Sequence, residues 1–447
     1  MTPTSIADLC VVLQRLFTQG ALAAGRDSQL CRRRRRLSAD VFCQTLVFCW
    51  LAQPDVSLAG LARGGASRDC LMSPQAWHRR FTPAAADCLQ RLLEQAFTVR
   101  VFGSTTPAAL LARFPAVQLV DSTTVNLPAV FAALLPGCGG GHAATDGAAG
   151  LKVSVAYDLV RGELCGLRLA SARTHDRACV PASPLLPGSL TVCDRGYFSL
   201  AAYGAMSGSG GYVLTRPLTG LAVWWEERRW TLPQLARRLR REARRGPCER
   251  EVLLGAVACW PARLILEKAP RQVTVQRRAA LRAAARKKGQ PVSAEALALA
   301  PYTLLVTNTP AALLSVEEAL VLYGARWQIE LLFKLWKQHG GLDESRSAKP
   351  HRILCELYGK LLAQLVGHWC LLAARLWERD DRSLVQAFQQ VRAFASALLA
   401  ALPSLRRLGE LLTDLARSLR AGCALDTRRR RPSTCARLRQ VAAVGLS

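Results

Sequence analysis

Asp121, Asp194 and Glu330 are the residues on which metal-assisted chemistry could rest. Asp121 ends the apolar run 116–120 and Asp194 ends the run 190–193. Each is therefore expected at the C-terminal end of a short strand, where α/β sheets open into ligand crevices. Glu330 lies in Tyr323-Gly324-Ala325-Arg326-Trp327-Gln328-Ile329-Glu330, which runs on to Lys337. The segment 315–339 has no Pro and is rich in Leu, Ile, Lys and Trp, which predicts one helix. With Tyr323 at zero and about 100° per residue, Arg326 falls near about −60°, Glu330 about −20°, Lys337 about −40° and Lys334 about +20°. Leu331, Leu332, Leu335 and Trp336 fall on the opposite, core-packing side. The polar stripe alone fits an ordinary solvated face with helical ion pairs equally well, and a strand-end Asp is also a common helix cap. Three carboxylates together point further. Hard divalent ions such as magnesium take oxygen ligands, and two of them can clamp the attacking and leaving oxygens of a displacement at phosphorus.

The rest of the chain favours a polyanionic partner. In 447 residues, 60 Lys and Arg against 32 Asp and Glu leave a net charge of +28. Nucleic acid is the usual partner for such an excess, and a membrane surface is the alternative. No spanning helix is expected: the apolar stretch 361–376 is broken by Gln364, His368 and Arg375. The start, Met1-Thr2-Pro3-Thr4 with Asp8 and Arg15 following, does not read as a secretory signal. The 16 cysteines form no C-x-x-C pair, so they read as reduced core thiols of a cytosolic protein. The 6 histidines are too scattered for a zinc or iron site.

Residues 1–110 read as helical, with an amphipathic helix over 6–17 and an apolar one over 37–51. The run Arg32 to Arg36 between them is either a solvated patch or a phosphate clamp. Segments 56–61 and 73–81 flank a Gly-rich turn and resemble a helix-turn-helix, offering Gln75, His78, Arg79 and Arg80 to DNA. From 115 the texture changes to strands, with a hairpin over 151–160 and 162–169, a helix over 199–206 and strands over 211–215 and 302–306. The Gly-rich pieces 137–141 and 207–211 match no phosphate loop. Residues 217–300 read as an insertion, with Trp224, Trp225, Trp230 and Trp260 among short strands and basic helices over 235–245 and 277–288. The chain is helical again to about 420 and closes on the basic tail Arg428 to Arg431.

These residues carry a resemblance. Val120-Asp121-Ser122-Thr123, Asp194-Arg195-Gly196-Tyr197-Phe198 and Tyr323-x2-Arg326-x3-Glu330-x6-Lys337 resemble the DDE transposases of bacterial insertion sequences, in particular the insertion-sequence-four group. Arg173-Thr174-His175-Asp176 and Val306-Thr307-Asn308 are smaller agreements. The resemblance implies an α/β, RNase H-like core with a mixed sheet, in two parts over 111–216 and 301–345. It further implies a β-rich insertion over 217–300, a helical DNA-binding region over 1–110, and a helical C-terminal region with basic tail over 346–447. Asp121, Asp194 and Glu330 would hold two magnesium ions, with manganese as a substitute. Tyr323, Arg326, Lys334 and Lys337 would contact DNA phosphates, and Trp224, Trp225 or Trp230 would stack a flipped base; core packing of a small β domain is an equal reading for each Trp. His175 and Asp176 would tie a loop. The partners would be the element's terminal inverted repeats, target DNA and a second copy of the chain, in the bacterial cytoplasm at the nucleoid, with no membrane. Two rivals stay open: an RNase H-like nuclease that cuts without joining, and a non-catalytic DNA-binding inhibitor of transposition.

Overall fold

The structure, a computed structural model, describes residues 2–31, 37–106, 108–139, 147–183, 185–257, 259–287, 289–376, 382–424 and 434–444. The Arg32 to Arg36 run and the Arg428 to Arg431 tail lie outside the described residues.

One mixed sheet organises the molecule. Its strands are β1 (Val117–Leu127), β2 (Ala149–Asp158), β3 (Glu163–Ser171), β4 (Leu190–Cys193), β5 (Tyr212–Thr215), β6 (Ala222–Trp225), β7 (Arg228–Thr231), β8 (Cys248–Leu254), β9 (Trp260–Lys268) and β10 (Tyr302–Thr307). They run in the order β3-β2-β1-β4-β5-β10-β9-β8-β6-β7. β1, β2 and β3 form an antiparallel meander, and β4 and β5 are parallel to β1. That is the RNase H-like arrangement. The insertion does not stand apart, because β9 pairs with β10 and continues the same sheet outward.

Strand alternation divides the core in two. Val117, Leu119, Leu190 and Val192 face a large cluster that also takes in the flanking helices, while Val120, Cys193, Val213 and Val306 face a smaller one beneath the insertion. β2 is buried along its whole length, as a strand covered on both faces must be. Helices Ala39–Ala52, Pro83–Ala96 and Pro350–Ala373 pack on one another within the larger cluster, so the N- and C-terminal helical regions share one core.

The N-terminal helix runs longer than its pattern suggests. Ile6–Arg15 continues through a π-turn at Leu16–Gly20 into Ala21–Asp27. No Pro interrupts it, so nothing ends the helix at Phe17. The combined 22 residues are long and apolar enough to cross a membrane by length and composition, contrary to the expectation above. Leu9, Leu13, Leu16, Phe17 and Ala21 are nevertheless buried in the helical core.

The helix-turn-helix expectation fares less well. Pro74–His78 is capped by Ser73 but has only 5 residues, too short to lie along a groove. Trp77 is buried and stacks on Phe42, leaving Gln75 and Arg79 exposed.

Pro350–Ala373 carries a buried polar stripe: Arg352, Glu356, Lys360, Gln364 and His368, each one turn apart. Lys360 Nζ donates to Gly341 O at 2.8 Å and Glu344 O at 2.6 Å, tying down the turn after the glutamate helix. His368 Nε2 donates to Gly162 O at 2.6 Å, in the β2–β3 turn, where Gly162 takes φ +70°. Burial pulls the His368 pKa down to about 4. The unfolded chain then takes up this proton first, and stability falls as pH drops from about 6.5 towards 4, by up to about 3 kcal/mol. Asp158 and Asp121, raised by burial to about 6, oppose this, losing stability as pH rises towards 6. The His368 contribution is therefore expected in the difference between wild type and His368→Gln. Urea unfolding at pH 7 and pH 4.5 should show the stability of wild type relative to the variant falling by about 3 kcal/mol at the lower pH.

Candidate active site

β1 does not end at Asp121, as its apolar run implied; it continues to Leu127 through β-branched and hydroxyl residues that pair with β2. Asp121 is therefore mid-strand. Parallel pairing with β4, however, stops at Val120↔Cys193, so Asp121 and Asp194 are next in line on adjacent strands where β1 and β4 part. Alternation turns both towards the face of the larger core.

The glutamate segment covers that face as two helices, Val316–Ala325 and Trp327–Gln338. The single straight helix expected from 315 to 339 is broken at Arg326. There the bonds tighten to i→i−3, from Arg326 N to Tyr323 O and from Ile329 N to Arg326 O, both 3.2 Å. Ser315 and Glu318 start the first helix with a capping box, and Glu318 also pairs with Arg113 at 2.8 Å. Ile329, Leu332, Leu335 and Trp336 are buried as the periodicity requires, whereas Leu331 is half-exposed rather than core.

Arg326 stands at the centre of the site. Its Nη1 donates to Asp121 Oδ2 at 2.9 Å, and its Nη2 pairs with Glu330 Oε1 at 2.5 Å. Its Nε–H is buried without an acceptor. Tyr323 donates from Oη to Asp194 Oδ1 at 3.4 Å, and its ring lies 5.9 Å from the Arg326 guanidinium carbon. The three carboxylates and two of the signature side chains thus converge.

Burial pushes the Asp121 carboxyl up to about 6, with Glu330 and Asp194 adding to the rise and the Ser122 amide and Arg326 opposing it. Burial, then Asp194, lifts the Tyr323 phenol to about 12. Lys337 is further along the helix, where its Nζ donates to Thr124 O at 2.7 Å and ties the helix to β1. Lys334 is exposed, its ammonium 5.8 Å from the Trp327 ring centre.

Among the described residues no three His, Cys, Asp or Glu side chains stand ready-made around a common ion. At the triad the guanidinium of Arg326 occupies that role. The donor set still fits a hard divalent ion. All three groups are carboxylates, and Glu330 and Asp194 add to the rise that burial gives the Asp121 pKa.

The tryptophans are elsewhere. Trp224 and Trp225 are on β6, five strand spacings or about 24 Å from β4, and Trp230 is on β7, six spacings or about 29 Å away. Trp224 Nε1 donates to Gly255 O at 3.0 Å; Trp225 and Trp230 pack on each other and on the smaller core. Nearer the triad, a cavity of about 400 Å³ is lined by Arg195, Arg216, Arg277, Leu281, Ala284 and Tyr302 among others. Arg216 reaches from it to the Tyr323 ring, 5.6 Å away. Arg216 and Arg277 are not legible in the sequence, because they line one cavity only once the helix Arg271–Lys287 folds back on β10, where Arg277 Nη1 donates to Tyr302 O at 2.9 Å. Lys152 is not marked either, although a Lys between Leu151 and Val153 in a strand signals a buried charge.

The model of the transposase DDE domain matches residues 112–366, which contain all three carboxylates. The chain belongs to the DDE transposases. It is similar to the transposase for insertion sequence element IS231B of Bacillus thuringiensis subsp. berliner, 26% identical over 378 residues, covering 79% of this chain and 77% of the relative. The IS1151 transposase of Clostridium perfringens is 20% identical over 397 residues, covering 83% and 82%. These relatives place the transposase in the insertion-sequence-four group, as its signature spacing implied. A solved structure of the piggyBac transposase synaptic complex with hairpin DNA aligns over 96% of this chain and 87% of its own, at 11% identity and a TM-score of 0.42. The transposase acts on DNA, and divalent-metal dependence goes with the family.

Proposed function

We propose that this transposase cuts the ends of its insertion sequence and joins them to target DNA, with Asp121, Asp194 and Glu330 as the metal-holding triad. The observation that carries this reading is the convergence of Asp121 and Glu330 on one guanidinium, with Asp194 beside them under Tyr323. The catalytic core would be residues 111–216 with 301–345, flanked by helical regions 1–110 and 346–447. Magnesium is the proposed ion, with manganese as a substitute, and two of them would place positive charge on the attacking and leaving oxygens of the displacement.

Water adds to the phosphorus at the element's end, the P–O3′ bond breaks, and the leaving oxygen takes a proton to become a 3′-hydroxyl. That hydroxyl attacks the opposite strand, closing a hairpin and releasing the flanking DNA with a 3′-hydroxyl; water then reopens the hairpin, and the regenerated 3′-hydroxyl attacks target DNA and displaces a 3′-oxygen of the target. In these steps Arg326 would turn its vacant Nε–H and one released Nη to a phosphate oxygen, a fork suited to that anion. Tyr323 would hold Asp194 and share the phosphate, and Lys337 and Lys334 would follow the backbone further along. The partners are terminal inverted repeats, target DNA and a second protomer in the synaptic complex, in the cytoplasm at the nucleoid.

For the displaced base, the arginine-lined cavity is better placed than Trp224, Trp225 or Trp230, since Arg195 of its lining follows Asp194 and Arg216 of its lining reaches the Tyr323 ring. Filling it with Ala284→Phe is expected to slow hairpin closure about tenfold more than the first nick, whereas Trp230→Ala slows neither selectively. The assay mixes purified protein and magnesium with a duplex carrying the DNA that flanks the gene, and resolves nicks, hairpins and joined strands. Nicks without joining would make the protein a nuclease, and binding without cleavage an inhibitor.

A further inference from the structure

Backbone pairing between β1 and β4 stops one residue short of Asp121 and Asp194. Something else must set the distance between these carboxylates. On the reverse face of the sheet, several polar groups meet around Asp176. Lys152, 8% exposed in β2, donates from Nζ to Asp176 Oδ1 and to Thr174 O, both at 2.6 Å. Ser122, next after Asp121, donates from Oγ to the same Oδ1 at 3.2 Å. The other carboxylate oxygen lies against Gly196, two residues after Asp194, and a Cβ there would collide with it. Tyr197 Oη and Ser154 Oγ share a hydrogen bond of 2.9 Å, and Ser154 Oγ donates to Asp121 O at 3.4 Å.

One carboxylate thus touches β1 at Ser122, β2 at Lys152 and the turn after β4 at Gly196. Ser122, Lys152 and Ser154 alternate to the face away from Asp121, so the cluster braces the two strands from behind. We infer that Asp176 and Lys152 are a positioning pair that fixes the separation of Asp121 and Asp194, and through it the affinity of these carboxylates for a divalent ion. The inference rests on the reading of Asp121 and Asp194 as metal ligands. It also accounts for two sequence features together: Gly196 is small because Asp176 needs the space, and Asp176 is acidic because Lys152 is buried.

The test is a titration of Mn²⁺ alone into the full-length, DNA-free protein, read by the electron paramagnetic resonance of free Mn²⁺, with thermal melts to show that each variant is folded. Asp176→Asn leaves Lys152 buried without its carboxylate, so the double variant Lys152→Met/Asp176→Asn and the charge-preserving Gly196→Ala accompany it. Each folded variant should bind Mn²⁺ about 10- to 100-fold more weakly, as loss of an outer-sphere support does. Nicking should return as Mn²⁺ is raised. Asp121→Asn serves as the control that loses the ion itself. Wild-type Mn²⁺ affinity in the folded Asp176 and Gly196 variants, beside a weakened Asp121→Asn, would overturn the inference and leave the metal site standing. Wild-type affinity in Asp121→Asn as well would overturn the metal site, and the inference with it. Loss of nicking at unchanged Mn²⁺ affinity would make Asp176 a direct participant and equally overturn its positioning role.

Discussion

Glu330→Gln is expected to lower magnesium-dependent nicking by about 10³-fold or more, with duplex binding nearly unchanged. The substitution keeps the side-chain shape and removes one negative charge from the site. An ion held by three carboxylates loses an anionic ligand, while the cations that meet DNA phosphates are untouched. Arg326 keeps Asp121 at 2.9 Å, so the break between the two helices should persist. Nicking of an end-containing duplex, run beside a gel-shift titration over a range of salt, separates the two effects. Cleavage near the wild-type rate would remove Glu330 from the metal site, and an equal loss of binding would mean that the helix had shifted.

The second large effect is expected at Arg326, and it splits by what is bound. Without DNA, Arg326 pairs with both Asp121 and Glu330, so a divalent ion must displace it. Arg326→Ala should therefore bind Mn²⁺ more tightly in the DNA-free protein at pH 8, by about tenfold or more, since one charged hydrogen bond is worth roughly 1.5–3 kcal/mol. On DNA the same variant should nick about 10²- to 10³-fold more slowly, because the phosphate loses a forked donor. Arg326→Lys should restore little, having a point charge where a planar fork is needed. The pH dependence has a defined sign. Arg326 holds down the Asp121 pKa of about 6, so its removal raises that pKa and proton competition for the ion begins at higher pH. Weaker Mn²⁺ binding by Arg326→Ala at pH 8 would show instead that the guanidinium builds the site.

Much of this was legible from local pattern. Short apolar runs ending in Asp121 and Asp194 marked two strands because β-structure with both faces covered leaves a continuous apolar signature. The turn at Val160-Arg161-Gly162 was readable because a residue with positive φ was needed there, and Gly supplies it. What misled was also local. The apolar run before Asp121 ended, but the strand went on, since Ser122, Thr123 and Thr124 pair with β2 through backbone groups that apolarity does not report. Gln364 and His368 looked like interruptions of an apolar helix. They are rungs of a buried polar stripe, in which His368 finds its partner, Gly162 O, in a turn far along the chain.

By itself the sequence determined which groups are available: three carboxylates, the Tyr, Arg, Glu and Lys of the signature at helical spacing, and a cationic surface for a polyanion. Those follow from residue type and chain periodicity, which need no knowledge of distant neighbours. Only the tertiary structure decided that Arg326 sits between Asp121 and Glu330, that the helix breaks there, and that Lys334 faces outward. It alone placed the tryptophans at the far edge of the sheet and Asp176 behind the two aspartates. Each of these depends on contacts between segments tens to hundreds of residues apart, and the register of a sheet and the docking of a helix are set by the packing of the whole core.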